Sequence, residues 1–487
     1  MQKVNLNSVD DGATRRSNTS VLALAGKNHT LSALASCFKL RSRVCQTYGL
    51  GLLTAVGLGL APNGALAAGP AYEFHVVAYV GDAAPGGGVF TNDFEPTALN
   101  NRGQLAFTAE PDKPGEEGIF LAHHGTLSQV VRFGESAPGG GMFTDVEFGD
   151  IGLNDAGQVA FGFTLTNSAG VYRWSDVDQT LSPILIPNVT LAPGDAGLFG
   201  GSSGSPSINN RGTVAFLGDV TNPPPTTFKF EPYRTGVFVA DKAGNISTVV
   251  RPGDPAPGGG TFMSAGKMFA GVFGFLFVGV GVNAHINDAG DVAFPGQVST
   301  APNKFTAFVR RFATGAIEAL PMPPGVATGF VATITINNRG DVAFGGAQNL
   351  EGYVFSSLVG AVYLSSGGTT ISVAALHDAA PGGGLFTTFR PQLRLNNRGD
   401  LAFAAETDTH DQAMYVYSSA TGTLRRIGGT GTVIPGVGVI ADLKQFGRLS
   451  GYTAFNDHGQ IALVANVTDG TTIRRALLLA TPSNGAN

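Results

Sequence analysis

Charge is scarce in this chain. Asp, Glu, Lys and Arg together make up 13% of it, about half of what an ordinary globular protein carries. The scarcity excludes a charge-rich disordered polymer, and the shortage of Glu and Lys excludes a long coiled coil. Tryptophan occurs once, as Trp174, which weakens a lectin reading, because sugar rings stack on several aromatics. Cysteine occurs twice, as Cys37 and Cys45. Glycine, by contrast, accounts for 70 of the 487 residues. It follows no period of three, so collagen is excluded. What remains is a turn-dense, Phe-rich chain of all-β character.

Residues 38–68 have the order of an export signal. Lys39, Arg41 and Arg43 precede an apolar run from Leu50 to Leu60, and Ala65-Leu66-Ala67 supplies small residues for cleavage. The run falls short of the ~20 residues of a membrane-spanning helix. The expected division is therefore 1–67, an extension plus signal peptide that is removed, and 68–487, one mature domain. Both cysteines lie in the first part, so disulfides, thiolate metal sites and Cys nucleophiles are excluded from the mature chain. That chain holds 23 basic and 33 acidic residues, a net charge of −10. Nucleic acid and anionic membrane surfaces are poor partners for it.

One motif, Asn-x-x-Gly-x-x-Ala-Phe, recurs seven times and defines units 1 to 7. It begins at Asn100, Asn154, Asn209, Asn287, Asn337, Asn396 and Asn456, with its glycine at Gly103, Gly157, Gly212, Gly290, Gly340, Gly399 and Gly459. The last copy ends in Leu463 instead of Phe. Asn at the first turn position bonds the backbone two residues on. Gly at the fourth takes a left-handed conformation, and the alternating residues that follow begin a strand. A second motif, Pro-Gly-Gly-Gly-x-Phe or a degenerate form, starts at Pro85, Pro138, Pro193, Pro257, Pro324, Pro381 and Pro435, at intervals of 53, 55, 64, 67, 57 and 54 residues. Two further strand-like runs follow each Asn motif, so each unit holds four strands, a to d.

Four-stranded units repeated seven times predict a seven-bladed β-propeller. Unit 7 lacks a strand d before the chain ends, while a strand-like run, Phe74–Gly81, precedes the first Pro-Gly motif. The N-terminal strand is thus expected to complete the last blade and close the ring, leaving no open edge. A β-solenoid is the alternative architecture.

These seven copies make the chain resemble a group of exported bacterial proteins with tandem NxxGxxAF repeats and a choice of C-terminal anchors. The resemblance implies an envelope-associated or secreted protein, and it brings no established activity and no catalytic motif. The end of the chain, from Ala476 onward, lacks an apolar span followed by basic residues, which favours release over anchoring.

In an up-and-down blade the Pro-Gly loops and the b–c loops share one face, and the Asn turns and c–d turns share the other. Two insertions stand out on the first face. The b–c loop of unit 3 carries Phe228, Phe230, Tyr233 and Arg234. An apolar stretch after Pro257 in unit 4 carries Phe269, Phe273, Phe275 and Phe277. The stretch reads either as core, an elongated strand a or a channel plug, or as an exposed patch that docks a partner. Polar candidates are Asp408, His410 and Asp411 in the b–c loop of unit 6, His377 ahead of the Pro381 motif, and Glu110, Asp112, Glu116 and Glu117 in unit 1. Converging at a channel mouth, they would form a divalent-cation site, for calcium for example, or an acid/base pair. Otherwise they are solvated loop residues. No G-x-S-x-G, H-E-x-x-H, P-loop or EF-hand sequence is present. The expected function is a non-catalytic binding or scaffold propeller that presents a loop face to an envelope protein, an extracellular polymer or a second copy. The alternatives are a secreted hydrolase or lyase and a purely structural matrix protein.

Overall fold

The computed structural model describes residues 72–91, 94–112, 117–146, 151–165, 168–194, 196–202, 204–221, 235–269, 279–281, 283–322, 330–347, 359–443 and 453–483. These residues form an all-β, propeller-type arrangement of antiparallel sheets, with no helix among the described residues. In unit 1 the strands Glu95–Leu99, Leu105–Ala109, Gly118–His123 and Thr126–Arg132 pair in that order, which is a-b-c-d. Unit 5 repeats this with Phe330–Ile336, Val342–Ala347, Ala361–Ser366 and Thr369–Ala375. In unit 4 strand a is split into Phe262–Ala265 and His285–Ile286, and a hairpin of Lys267–Phe269 and Gly279–Gly281 stands between the halves.

The N-terminal strand closes the last sheet, as its sequence position predicts. Tyr72–Tyr79 pairs antiparallel with Ile473–Pro482 of unit 7, from Tyr72 opposite Pro482 to Tyr79 opposite Ala476.

Packing between units follows from the Ala-Phe pair of the repeat. Successive strand residues face opposite sides of a sheet, so the Ala side is thin and the Phe side thick. Ala106 of unit 1 accordingly lies in one apolar cluster with Val159 and Phe161 of unit 2. Ala160 meets Phe216, Ala215 meets Phe294, Ala293 meets Phe344, Ala343 meets Phe403 and Ala402 meets Leu463. Ala462 of unit 7 returns to Phe107 of unit 1. In units 1, 2, 3, 4 and 6 the repeat Phe lies beside an aromatic of strand c, and the Pro-Gly Phe meets that aromatic edge-on. Phe107 and Phe120 are 5.7 Å apart, and Phe90 stands at 87° to Phe120. Such edge-to-face contacts add about 0.5–1.5 kcal/mol per pair.

Units 2 and 6 place Tyr172 and Tyr415 at the strand c position, fully buried and with no hydrogen-bond partner for either hydroxyl. Burial pushes both phenols up to about 12. A raised acid pKa means that the stability it confers is intact below pH ~10, the unfolded value, and is lost as pH rises toward the folded one. Tyr172→Phe removes the unsatisfied hydroxyl and keeps the ring. The expected result is a gain of about 1 kcal/mol in urea unfolding at neutral pH, with a shallower loss of stability above pH ~10. A destabilised variant would mean that the hydroxyl has a partner.

The Asn turns do more than turn the chain. The Asn side chains accept backbone N–H groups of their own turns, two in six of the units; the Oδ1 of Asn100, for example, takes the N–H of Arg102 and of Gln104, and that of Asn287 takes the N–H of Asp291. The Nδ2 of each then leaves the unit. Asn100 donates to the Asn154 carbonyl, Asn154 to Asn209, Asn209 to Asn287, Asn287 to Asn337, Asn337 to Asn396, Asn396 to Asn456, and Asn456 back to Asn100, at 2.9–3.3 Å. The next residue of each turn forms a second closed circuit. Backbone N–H groups donate in order from Asn101, Asp155, Asn210, Asp288, Asn338, Asn397 and Asp457 to the Oδ1 of the following member, at 2.6–2.9 Å. No two aspartates are neighbours in this circuit, and each carboxylate accepts Nδ2 donors from the asparagines on both sides. An odd ring cannot alternate throughout. Its one like pair, Asn338 and Asn397, is uncharged, which avoids repulsion between adjacent carboxylates.

Candidate functional site

The Pro-Gly loops and the b–c loops do meet on one face, and polar groups of the b–c loops hold the Pro-Gly loops in place. In unit 1 the Oδ1 of Asp112 accepts the Val89 N–H at 3.0 Å. In unit 6 Asp408 accepts the Leu385 N–H at 2.8 Å. Thr221 and Ser299 use their hydroxyls in the same way, toward Leu198 and Thr261. The acid that follows Gly81, Gly134, Gly253 and His377 is equally structural. Asp82, Glu135, Asp254 and Asp378 each accept a backbone N–H three residues back. The triple glycine is required here, because Gly86, Gly87 and Gly88 have φ of 86°, 108° and 78°. A side chain at Gly88 would run into the Asp112 carboxylate.

The polar candidates therefore separate into individual tasks. Asp411 forms a bidentate ion pair with Arg426, at 2.7 and 2.8 Å, which further raises the pKa of that guanidinium. The Arg426 side chain in turn packs beneath Gly382 of the Pro-Gly loop. His377 occupies the left-handed position held elsewhere by Gly81, Gly134 and Gly253, with φ of 71°. Like those glycines it donates its backbone N–H to the motif's aromatic, here to the Phe386 carbonyl at 2.8 Å. His410 is 90% exposed, with Nδ1 3.6 Å from the Glu406 carboxylate. Among the described residues no three His, Cys, Asp or Glu side chains are grouped to hold an ion. Glu116, Phe228, Phe230, Tyr233, Arg234, Phe273, Phe275 and Phe277 lie outside the described residues. Phe269 is placed by its backbone, opposite Gly279 at the base of the inserted hairpin.

Several large apolar side chains are exposed on this face. Across the Pro-Gly loops of units 1, 2, 3, 4 and 6 two residues form an isolated bridge: Ala83 with Val89, Ser136 with Met142, Leu191 with Leu198, Pro255 with Thr261, Ala379 with Leu385. Val433 and Val439 occupy these places in unit 7. Exposure is 43% at Val89, 51% at Met142, 74% at Leu191, 41% at Leu385 and 67% at Val433. Single exposed apolar residues are ordinary, but here five loops each expose one apolar residue of the bridge, the later one in units 1, 2 and 6 and the earlier one in units 3 and 7. A signal for it stands in the sequence: three of the four residues between the triple glycine and the Phe are Val89, Met142 and Leu385.

Three successive stretches, residues 61–173, 162–306 and 319–486, match the signature of a family described as Family of unknown function (DUF7453). The chain belongs to this family. No curated protein matches it by sequence. Among solved structures, this DUF7453 member is similar to an oligogalacturonate lyase from Vibrio parahaemolyticus, at 10% identity over 86% of this chain and 98% of that one, with a TM-score of 0.45. It is also similar to an oligogalacturonate lyase in complex with manganese, at 12% identity over 85% and 97%, TM-score 0.44. A third is a puromycin-hydrolyzing peptidase of Mycobacterium tuberculosis, at 12% identity over 86% and 55%, TM-score 0.45. At such identities no activity passes from them to this chain.

Proposed function

We propose that this protein is an exported, seven-bladed propeller, with mature domain 68–487, that binds a partner through its Pro-Gly face and does not catalyse a reaction there. The observation that carries the reading is the exposure of Val89, Leu191 and Leu385 on loops that Asp112, Thr221 and Asp408 hold in place, joined by Met142 and Val433 of units 2 and 7. Rigid loops lose little conformational entropy on binding, so contact area there converts efficiently into affinity. The blade count is supported by the two closed circuits of seven turn residues. Export is supported by the leader-like sequence ahead of residue 68. The partner is an envelope protein, an extracellular polymer or a second copy of the chain.

The test is capture from the producing cell's envelope and culture medium. One bait is intact. One carries Met142→Asp, Leu191→Asp, Leu385→Asp and Val433→Asp. One has residues 264–282 replaced by a short Gly-Ser loop. All are checked for folding by circular dichroism. The expected result is a partner retained by the intact bait and reduced at least about tenfold by the aspartates, as a charge placed in a desolvated contact demands. Equal capture by the intact and aspartate baits would overturn the reading. Loss with the loop replacement alone would move the contact to the unit 4 insertion.

A second reading, a hydrolase or lyase of the same face, rests on one observation, the closeness of His410 to Glu406. It requires turnover of a polysaccharide or peptide that is lost in both His410→Ala and Glu406→Gln.

A further inference from the structure

We infer a second binding site, on the face of the Asn turns, for a small amphiphilic anion: a carboxylate or phosphate head on a short apolar body. A cavity of about 360 Å³ lies where the strand Tyr72–Tyr79 of unit 7 runs beside the turns of unit 1. That volume is within the ≈ 300–1,000 Å³ of small-molecule sites. Its apolar wall includes Leu105, Leu127 and Leu479, and its polar wall is Arg102, His75, His123 and His124 with the amides of Asn101 and Gln460. No carboxylate is among the described residues that line it. In a chain of net charge −5, a cavity walled by a guanidinium and three imidazoles and free of acids is complementary to an anion.

The charge on Arg102 is the deciding point. Four turns read Asn-Asn-Arg-Gly. In units 5 and 6 the residue after the glycine is an aspartate that neutralises the arginine: Arg339 pairs with Asp341 at 2.6 Å, and Arg398 with Asp400 at 3.1 Å. In unit 1 that residue is Gln104, which instead reaches Asp176 of unit 2 at 2.9 Å. Arg102 is exposed, and its side chain has no partner among the described residues. A planar guanidinium left open beside a greasy wall suits a bidentate oxyanion whose apolar tail covers the leucines. The imidazoles add donors from two other elements. His123 and His124 turn their rings to within 4.1 Å of each other at the c–d turn, and His75 lies opposite Leu479 across the closing sheet.

Unit 3 supplies an internal control. Arg211 stands at the same turn position, followed by Thr213 instead of Asp, but does not line this cavity. The experiment is calorimetric titration of the full-length chain with octanoate, octyl phosphate, octanol and acetate. Octanoate or octyl phosphate is expected to saturate one site, with octanol and acetate at least about tenfold weaker; the tighter of the two anions identifies the head group. Arg102→Gln is expected to weaken that anion about tenfold while Arg211→Gln leaves it unchanged. Circular dichroism checks that both variants fold. The inference is overturned if neither anion binds, if octanol binds as well as the anions, or if the two Arg variants weaken binding equally.

Discussion

Asn337→Asp is expected to destabilise this protein by about 3–5 kcal/mol at neutral pH, more than Asn337→Ala does. Asn337 is 2% exposed. Its Oδ1 accepts the N–H groups of Arg339 and Asp341, which an aspartate would do equally well. Its Nδ2, however, donates to the Asp341 carboxylate and to the Asn396 carbonyl, both at 3.0 Å. An aspartate puts an anionic oxygen against those two acceptors in a buried site. Alanine leaves those acceptors short of a donor and the two N–H groups short of an acceptor, at about 1–3 kcal/mol, but it brings no charge into the site. Burial by itself raises the Asp341 pKa, and the hydrogen bonds from Ser366, Asn337 and Arg339 reverse this and hold it below the usual carboxylate range. A lowered pKa confers stability that is present above pH ~4 and lost as pH falls through the folded value. Asn337→Asp removes one of those donors. It should therefore be least damaging in acid, where one carboxyl of the new pair is protonated. Adding Asp341→Asn should recover about 1–2 kcal/mol, because the second amide restores a donor. Urea unfolding of the three variants measures this. If Asn337→Asp left the protein as stable as the native chain, the inter-unit amide bond would contribute nothing.

Removing the strand Tyr72–Tyr79 is expected to abolish cooperative unfolding and produce oligomers. The strand pairs with Ile473–Pro482. On one side Tyr72, Phe74, Val76 and Tyr79 pack on the core between units 6 and 7; on the other, Val77 and Ala78 pack on the core between units 7 and 1. Losing several half-buried side chains at about 1–2 kcal/mol each approaches the whole stability of a domain. The bared edge of Ile473–Pro482, with Leu477 and Leu478 beside it, is then free to pair with another chain. A synthetic peptide of residues 70–82 added in trans should restore the monomer, read by light scattering and circular dichroism. A truncated chain that stays monomeric and unfolds at the native urea concentration would sink the idea that this strand closes the structure.

Much of the architecture was legible in the sequence because its determinants are local. Asn and Gly at fixed spacing dictate a turn, an alternating Val-Ala-Phe dictates a strand with a thin and a thick side, and a strand-like run before the first motif answers the missing strand of the last. Each of these is a property of a few neighbouring residues, repeated until chance is excluded. The choice of Asn over Asp at the first turn position was not legible. Its reason lies with a carbonyl in the next unit, 54 residues away for Asn100. The order of Asn and Asp at the second position is likewise a property of the closed ring. The loop-face acids were misleading for a related reason. A list of carboxylates does not say whether each oxygen points at solvent or, as for Asp408, at the backbone of another loop. Sequence by itself determined the repeat, the strands and the alternation of core and surface, because those arise from short-range sterics and burial. Only the tertiary structure decided which polar side chains hold the molecule together and which, like Arg102, are left to face something else, because hydrogen-bond partners are chosen by proximity in space.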